Sequence, residues 1–214
     1  MSAGNRRIVP FEETEKEIVV INSRFIASLT PAETVEEARE YIRQIKGRYS
    51  DATHHVPAFL IGHGQSVTAH CSDDGEPAGT AGRPALAVLQ GSGIGDAVVV
   101  VTRYFGGTKL GTGGLVRAYG DAVREVLHSA RLAEIVLTSR MRIILDYAHY
   151  EPVKRLLVRR QAIVEDEQFT ENVCIVMRIG DGEELSLINE IQDLTAGRSA
   201  IEILETGCEY RKPI

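Results

Sequence analysis

The sequence lacks any apolar run that approaches the roughly 18 residues needed to span a membrane. It contains only three cysteines, Cys71, Cys174 and Cys208, which are widely spaced and include no CxxC pair. An odd number of isolated cysteines argues against a disulfide framework and is typical of a reducing compartment. The N-terminal residues carry two arginines but no apolar segment of the kind that a signal peptide has. We therefore expect a cytoplasmic protein with no membrane contact.

An excess of basic residues is also missing. The chain has 24 Lys and Arg against 30 Asp and Glu, for a formal net charge of −6. Common nucleic-acid-binding domains are, in contrast, strongly basic. Any contact with a nucleic acid therefore requires a local basic patch that acts against the average field of the protein.

The familiar catalytic motifs are absent as well. A phosphate-binding GxxxxGK[ST] loop fails because Thr112 follows Gly111 where lysine is required, and GxGxxG fails because no glycine follows Gly113 at the right distance. Zinc spacings such as CxxC and HExxH are missing, as is the nucleophile motif GxSxG. The sequence therefore predicts no turnover of ATP or GTP, no catalytic residue and no metal ligand set. His54 and His55 are adjacent and, on a strand, point to opposite faces, so they cannot easily share one metal. We name them as candidate neighbours of the site.

The second half of the chain has a clear alternation of apolar patterns. Helical spacing alternates with short strand-like runs in the order β-α-β-β-α-β, which is the ferredoxin-like arrangement. The predicted elements are strand 141–147, helix 150–160, strands 162–169 and 173–179, helix 183–194 and strand 201–204.

The first half is less regular, and we predict an α+β fold for it. Helix 31–46 is expected to begin with Thr30 as its cap, Pro31 at the first position and Glu33 three residues after the cap. A linker is expected at 134–139, which divides the chain into domains 1–136 and 137–214. The other predicted elements are strands 17–21, 24–27, 56–61 and 97–102 and helices 83–89 and 112–131.

A glycine-rich stretch, RYFGGTKLGTGGLVRAYG at 103–120, follows a predicted buried strand and opens a helix. Glycines let the backbone present successive N–H groups, and a helix N-terminus adds a positive dipole end. Three cations bracket the loop. The pattern fits either an anion-binding site or a tight strand-to-helix connection. The candidate anion- or RNA-binding residues are Arg103, Gly106, Gly107, Lys109, Gly111, Thr112, Gly113, Gly114 and Arg117.

A second loop, SDDGEPAGTAG at 72–82, is acidic, and its glycines and proline exclude a helix or central strand. Asp73, Asp74 and Glu76 are open to three interpretations: a Mg²⁺ site, a solvated turn, or ion pairs with the cations of the glycine-rich loop. The third interpretation is our hypothesis. Glycines allow the two loops to approach, and opposite charges then neutralise each other where either set alone would be unfavourable to desolvate. In this hypothesis the backbone N–H groups of the glycine-rich loop remain free to bind an anion.

Four segments closely resemble the YigZ/IMPACT family, and the resemblance spans most of residues 15 to 130. The segments are NSRFI (22–26), DATHHVPAFLIG (51–62), SDDGEPAGTAGRPAL (72–86) and VTRYFGGTKLGTGGLVRAYGDAV (101–123). Asn22 stands where many members have lysine. The resemblance implies a first domain like the second-domain fold of a small-subunit ribosomal protein, shared with GHMP kinases and elongation factor G. It also implies a ferredoxin-like second domain similar to the last domains of elongation factor G, as in bacterial members.

The resemblance implies a translation-linked role, since the eukaryotic relative regulates initiation by competing for the activator of a stress-responsive kinase. We rank three functions. The first is a non-catalytic regulator that binds the ribosome or RNA through the glycine-rich cationic loop, with a translation-associated protein as a further candidate partner. The second is a phosphate- or nucleotide-handling enzyme that uses the acidic loop with Mg²⁺. The third is a protein-binding adaptor. We expect no cofactor for the first and third, and the oligomeric state stays open.

Overall fold

The computed structural model describes residues 6–64 and 66–214, which divide into two compact units. The first unit contains the described residues up to Ile135 and the C-terminal residues Arg211–Ile214, and the second is Val136–Tyr210. The expected boundary, between residues 136 and 137, lies one residue further along, and the expected second domain included the last four residues. Residues 1–5, which belong to the expected first domain and to the segment considered as a signal peptide, lie outside the described residues.

The first unit is built on a five-stranded antiparallel sheet in the order β2-β3-β6-β4-β5. In chain order its elements are β1 (Arg7–Pro10), β2 (Thr14–Val20), β3 (Ser23–Pro31), α1 (Val35–Arg48), β4 (His54–His63), β5 (Ser66–Cys71), α2 (Gly82–Gly91), β6 (Ala97–Tyr104), α3 (Gly111–Ser129) and the start of β7 (Leu132–Leu145).

Helices cover both faces of this sheet. Val98 and Val100 of β6 pack with α1, whereas Val99 and Val101 of the same strand pack with α2 and α3. A strand that is buried on both faces needs apolar residues at consecutive positions, and the valine run of β6 meets this need. The predicted buried strands 56–61 and 97–102 are therefore confirmed, with β6 at the centre of the sheet.

A two-residue turn joins β2 to β3. Val20 pairs with Ser23, and the residues between them, Ile21 and Asn22, have φ values of 44° and 65°. Positive φ at both central residues defines a type I′ turn, which matches the twist of a hairpin and favours asparagine. The predicted strands 17–21 and 24–27 are confirmed, and they pair with each other as a hairpin.

Helix α1 begins four residues later than its predicted cap indicates. Thr34 is the N-cap, and its Oγ1 accepts a hydrogen bond of 3.1 Å from the backbone N–H of Glu37. The prediction of Thr30 as cap is wrong because Thr30 and Pro31 are the last residues of β3, where they pair with Val98 and Ala97. Thr34 and Glu37 repeat the threonine-to-glutamate spacing of the earlier pair.

The second unit has the predicted β-α-β-β-α-β order, with its sheet in the order β10-β7-β9-β8. Buried residues of both helices, including Leu156 and Leu187, pack against one face of the sheet on Ile143, Ile175 and Met177. The ferredoxin-like prediction is therefore confirmed. None of the described helices is long and apolar enough to cross a membrane. After β7, the elements are α4 (Tyr147–Arg159), β8 (Ile163–Phe169), β9 (Val173–Gly180), α5 (Glu184–Thr195) and β10 (Ala200–Pro213).

The linker prediction at 134–139 is wrong, because these residues lie inside strand β7. Ile135 pairs with Arg7 of β1, and Thr138 pairs with Gly180 of β9. Thr138 and Ser139 are both buried, so their polarity does not mark an exposed connection. Strands β1 and β5 were not predicted. Strand β5 is an exposed sheet edge whose residues, SVTAHC, do alternate between polar and apolar side chains, a signal that the prediction did not use.

We expect Thr34→Ala to lower the free energy of unfolding of the first unit by about 1 kcal/mol, because it leaves a backbone N–H of the first helical turn unpaired. Urea unfolding, followed through the NMR signals of the first unit, measures the change. Thr108→Ala, at an exposed loop threonine, is the matched control and should stay within about 0.5 kcal/mol of the wild type. Equal effects of the two substitutions would contradict the cap assignment.

Candidate functional site

The glycine-rich loop leaves β6 against the turn between β2 and β3. A Cβ atom on Gly106 would lie 2.1 Å from the carbonyl carbon of Asn22 and 2.5 Å from the backbone nitrogen of Ser23. Only glycine allows this approach, and the N–H of Gly106 donates to Ser23 Oγ at 3.2 Å. Gly107 and Gly111 have φ values of 82° and 70°, which side chains rarely permit. The predicted tight connection is therefore present at the start of the loop.

In the acidic loop, Asp73 organises its own segment. Its Oδ2 accepts a hydrogen bond from Gly79 N–H at 2.8 Å, and its Oδ1 accepts from Ala81 and Gly82 N–H at 3.1 and 2.8 Å. Burial alone would raise the pKa of Asp73, but the three backbone donors together lower it. The carboxylate thereby pairs with backbone N–H groups at the start of helix α2, where N–H groups without a partner inside the helix attract negative charge.

Asp74 links the acidic loop to helix α1 and strand β4. Its Oδ1 accepts from Lys46 Nζ and its Oδ2 from the backbone N–H of His55, both at 2.7 Å. Burial opposes ionisation, but the Lys46 and His55 hydrogen bonds lower the pKa of Asp74 below its ordinary value. The carbonyl oxygen of Asp74 lies 2.8 Å from His54 Nδ1. Both histidines are therefore in contact with the acidic loop.

Glu76 forms the contact between the two loops. Its Oε1 accepts from Arg103 Nη1 at 2.5 Å and from the hydroxyl of Tyr119 on α3 at 2.8 Å. The side chains of Glu76 and Arg103 are only 4% and 6% exposed. Burial, followed by the charge of Glu76, raises the pKa of the Tyr119 hydroxyl, which therefore stays a hydrogen-bond donor. His54 Nε2 lies 3.8 Å from Glu76 Oε2.

The hypothesis of mutual neutralisation is correct for one pair and wrong for the others. Glu76 pairs with Arg103, whereas Asp73 and Asp74 have the other partners described above. Among residues 6–64 and 66–214, Lys109 and Arg117 form neither an ion pair nor a side-chain hydrogen bond. The solvated-turn interpretation is also wrong, because Glu76 is buried and every carboxylate of the loop has at least two donors.

A cavity of about 320 Å³ lies between the glycine-rich loop and the acidic loop. Helix α3 begins at this cavity, and no side chain among the described residues caps its N-terminus. Of the predicted residues, those that line the cavity are Glu76, Arg103, Lys109, Gly111 and Thr112, together with Pro77, Phe105, Leu110 and Leu115.

Other predicted residues lie outside this lining. Arg117 is exposed on α3, and Gly113 and Gly114 belong to the first turn of that helix. In the part of the chain that the structure describes, no three His, Cys, Asp or Glu side chains are grouped as metal ligands would be.

Sequence reasoning missed Ser23, Lys46, Phe105 and Tyr119. Tyr119 carried a usable signal, because it follows Leu115 by one helical turn and therefore faces the same buried side of α3. Lys46 carried none, since its partner Asp74 is 28 residues away in the sequence.

Comparison with known proteins identifies the family. Residues 21–127 match the Impact N-terminal domain, and residues 143–198 match a domain of unknown function, DUF1949. IMPACT family member YvyE of Bacillus subtilis is 39% identical over 191 residues, which cover 89% of this chain and 88% of that protein. The chain therefore belongs to the IMPACT family, as its sequence resemblance predicted.

Two further relatives and one solved structure are also similar to this chain. An IMPACT family member of Haemophilus influenzae is 38% identical over 93% of this chain and 95% of its own length. YigZ of Escherichia coli is 49% identical over 106 residues, which cover 49% of this chain and 52% of that protein. A crystal structure described as a hypothetical protein is 30% identical, with a TM-score of 0.61, over 94% of this chain and 98% of its own.

We expect Glu76→Gln to lower the free energy of unfolding by on the order of 3 kcal/mol, because it leaves the buried Arg103 guanidinium without a counter-charge. Urea unfolding of the first unit measures this loss. Glu17→Gln is the matched control, since Glu17 pairs with Arg24 at 2.9 Å on the exposed surface and should lose less than about 1 kcal/mol. A Glu76→Gln loss as small as that of the control would refute the proposed importance of burial.

Asp73 and Asp74 should make the first unit less stable in acid. Their pKa values are lower in the folded protein, so the unfolded chain takes up protons first as the pH falls. Their contribution is complete above about pH 4, near the ordinary aspartate pKa, and is lost as the pH falls through the lower folded-state values.

Asp73→Asn should therefore be less stable than the wild type at neutral pH and lose less stability on acidification. Urea unfolding at a series of pH values between about 3 and 6 measures the slope. Glu125→Gln, at an exposed position on α3, controls for the loss of one negative charge. An unchanged slope in Asp73→Asn would show that its hydrogen bonds do not stabilise the charged form.

Proposed function

We propose that this IMPACT family protein is a translation-linked regulator of the cytoplasm that acts by binding rather than by catalysis. Its ligand is the RNA of a ribosomal particle, and its binding element is the glycine-rich loop with the start of α3. The observation that carries the proposal is that two cations have no partner among the described residues: Lys109, just before the start of α3, and the exposed Arg117, further along the same helix.

The first step of the argument concerns the backbone of α3. The first four N–H groups of a helix have no partner within the helix, and together they carry a partial positive charge. No acidic residue lies in the first turn of α3, and Gly111, Thr112 and Gly113 are exposed there. An anion is the ligand that such a helix start favours.

The second step concerns the side chains. Arg103 is neutralised by Glu76, so its charge is not the one that attracts the proposed anion. Lys109 lines the cavity, and Arg117 lies exposed further along the same helix. A phosphate backbone carries anions at regular intervals, so it can meet cations that lie at different places along one surface. The translation-linked role that family membership implies supports a ribosomal source for this backbone.

The acidic loop argues against the enzyme alternative. A Mg²⁺-dependent enzyme needs carboxylate oxygens directed at the substrate phosphates. Asp73 is occupied by three backbone donors, Asp74 by Lys46 and His55, and Glu76 by Arg103 and Tyr119. The loop therefore supports the shape of the site, and we propose no cofactor.

Co-sedimentation with ribosomal particles across a salt series tests the proposal. We expect salt-sensitive binding that Lys109→Ala and Arg117→Gln each weaken, because each variant removes one phosphate contact. The slope of log K against log salt should become shallower by roughly 0.7 to 1 for each cation removed.

Arg39→Gln is the matched control. Arg39 is an exposed arginine of α1, on the opposite face of the sheet, and has no ion pair among the described residues. It should bind as the wild type does. Binding that does not change with salt concentration and persists after the RNA is digested would instead assign the protein to the adaptor class. An absence of binding would refute the proposal.

A further inference from the structure

Phe105 is an exposed aromatic residue at the mouth of the cavity, with 47% of its surface accessible. We propose that it is a stacking platform for an unpaired base, so that the site takes single-stranded RNA in preference to a duplex. One base lies on the Phe105 ring while the adjoining phosphate meets Lys109 and the start of α3. This inference rests on the proposed function and names the form of RNA that the site recognises.

The backbone around Phe105 is held on both sides. The N–H of Phe105 donates to Thr53 Oγ1 at 3.2 Å, and the hydroxyl of the preceding Tyr104 donates to Asp51 at 2.8 Å. The following Gly106 is fixed against the turn between β2 and β3. An aromatic ring on a fixed backbone loses little conformational entropy on binding, which favours it as an anchor.

The electrostatic surroundings of the ring also suit a base. The guanidinium of Arg103 lies 5.6 Å from the centroid of the Phe105 ring and 5.4 Å from that of the buried Phe25. Its Nε is buried and has no hydrogen-bond acceptor among the described residues. Arg103 thus supports the ring from the protein side, and nearly half of Phe105 stays accessible for a flat ligand. Aromatic and guanidinium groups together are typical of single-strand binding sites.

The form of the RNA follows from access to the base. In a duplex each base is stacked between its neighbours, and its faces cannot reach a side chain. The cavity, about 320 Å³, is at the small end of ligand pockets and suits one nucleotide rather than a helix. A base on Phe105 and a phosphate at Lys109 both use residues that line this one cavity.

Fluorescence anisotropy with the full chain tests the inference. The probes are a fluorescein-labelled single-stranded RNA of about ten nucleotides and the same strand paired with its complement. We expect the single strand to bind more tightly. Phe105→Leu, which keeps an apolar side chain but removes the ring, should raise the Kd for the single strand by about 5- to 100-fold. Phe105→Tyr should restore binding.

The other variants separate the two hypotheses. Phe169→Leu removes a similarly exposed aromatic, 52% accessible, from the second unit and should leave the Kd unchanged. If Lys109→Ala weakens binding while Phe105→Leu does not, or if the duplex binds as tightly as the single strand, stacking is refuted and the anion site stands. If the wild type binds neither RNA, the proposed function fails with it. NMR spectra of each variant confirm that the first unit is folded.

Discussion

The site depends on one buried ion pair, Glu76 with Arg103. Moving two charges out of water is unfavourable, and such a pair is tolerated only when its geometry and additional hydrogen bonds compensate. Tyr119 donates to the same carboxylate oxygen, and Arg103 Nη2 lies 3.4 Å from Ser23 Oγ. The pair thereby connects the acidic loop, the end of β6, the β2–β3 turn and helix α3. Loss of either charge would leave the other buried without a counter-charge, so the acidic loop and the glycine-rich loop stabilise each other.

The hydrogen bonds and the ion pair that the acidic loop forms explain why it contains three carboxylates. Each carboxylate has a separate set of donors, at the start of α2, at α1 and β4, and at Arg103. The negative charges of the loop are therefore neutralised by groups other than Lys109 and Arg117. A protein with a net charge of −6 can in this way keep a local positive region, because the field at a site is decided by the nearest unpaired charges and dipoles.

Periodicity predicted the elements whose burial is regular, such as the ferredoxin-like order of the second unit and the central strand β6. It failed where tertiary pairing decides between equal local signals. Thr30 and Thr34 have the same spacing to a glutamate, and only the pairing of β3 with β6 shows that the first lies in a strand. Composition predicted that the two loops meet, but the partners of Asp73 and Asp74 depend on the register of distant segments, which local patterns do not contain.

The backbone geometry requires some glycines of the glycine-rich loop but does not require Gly113. Gly106 is required by the backbone of Asn22, and Gly107 and Gly111 by their positive φ values. Gly113 has neither constraint, because it is not among the glycines with positive φ and a Cβ atom there would meet no atom of the described residues within 4 Å. Within a helix, glycine is less favourable than alanine by roughly 0.5 to 1 kcal/mol. The described fold therefore does not require this glycine, which agrees with the proposal that an anion approaches the exposed N–H groups of the first turn.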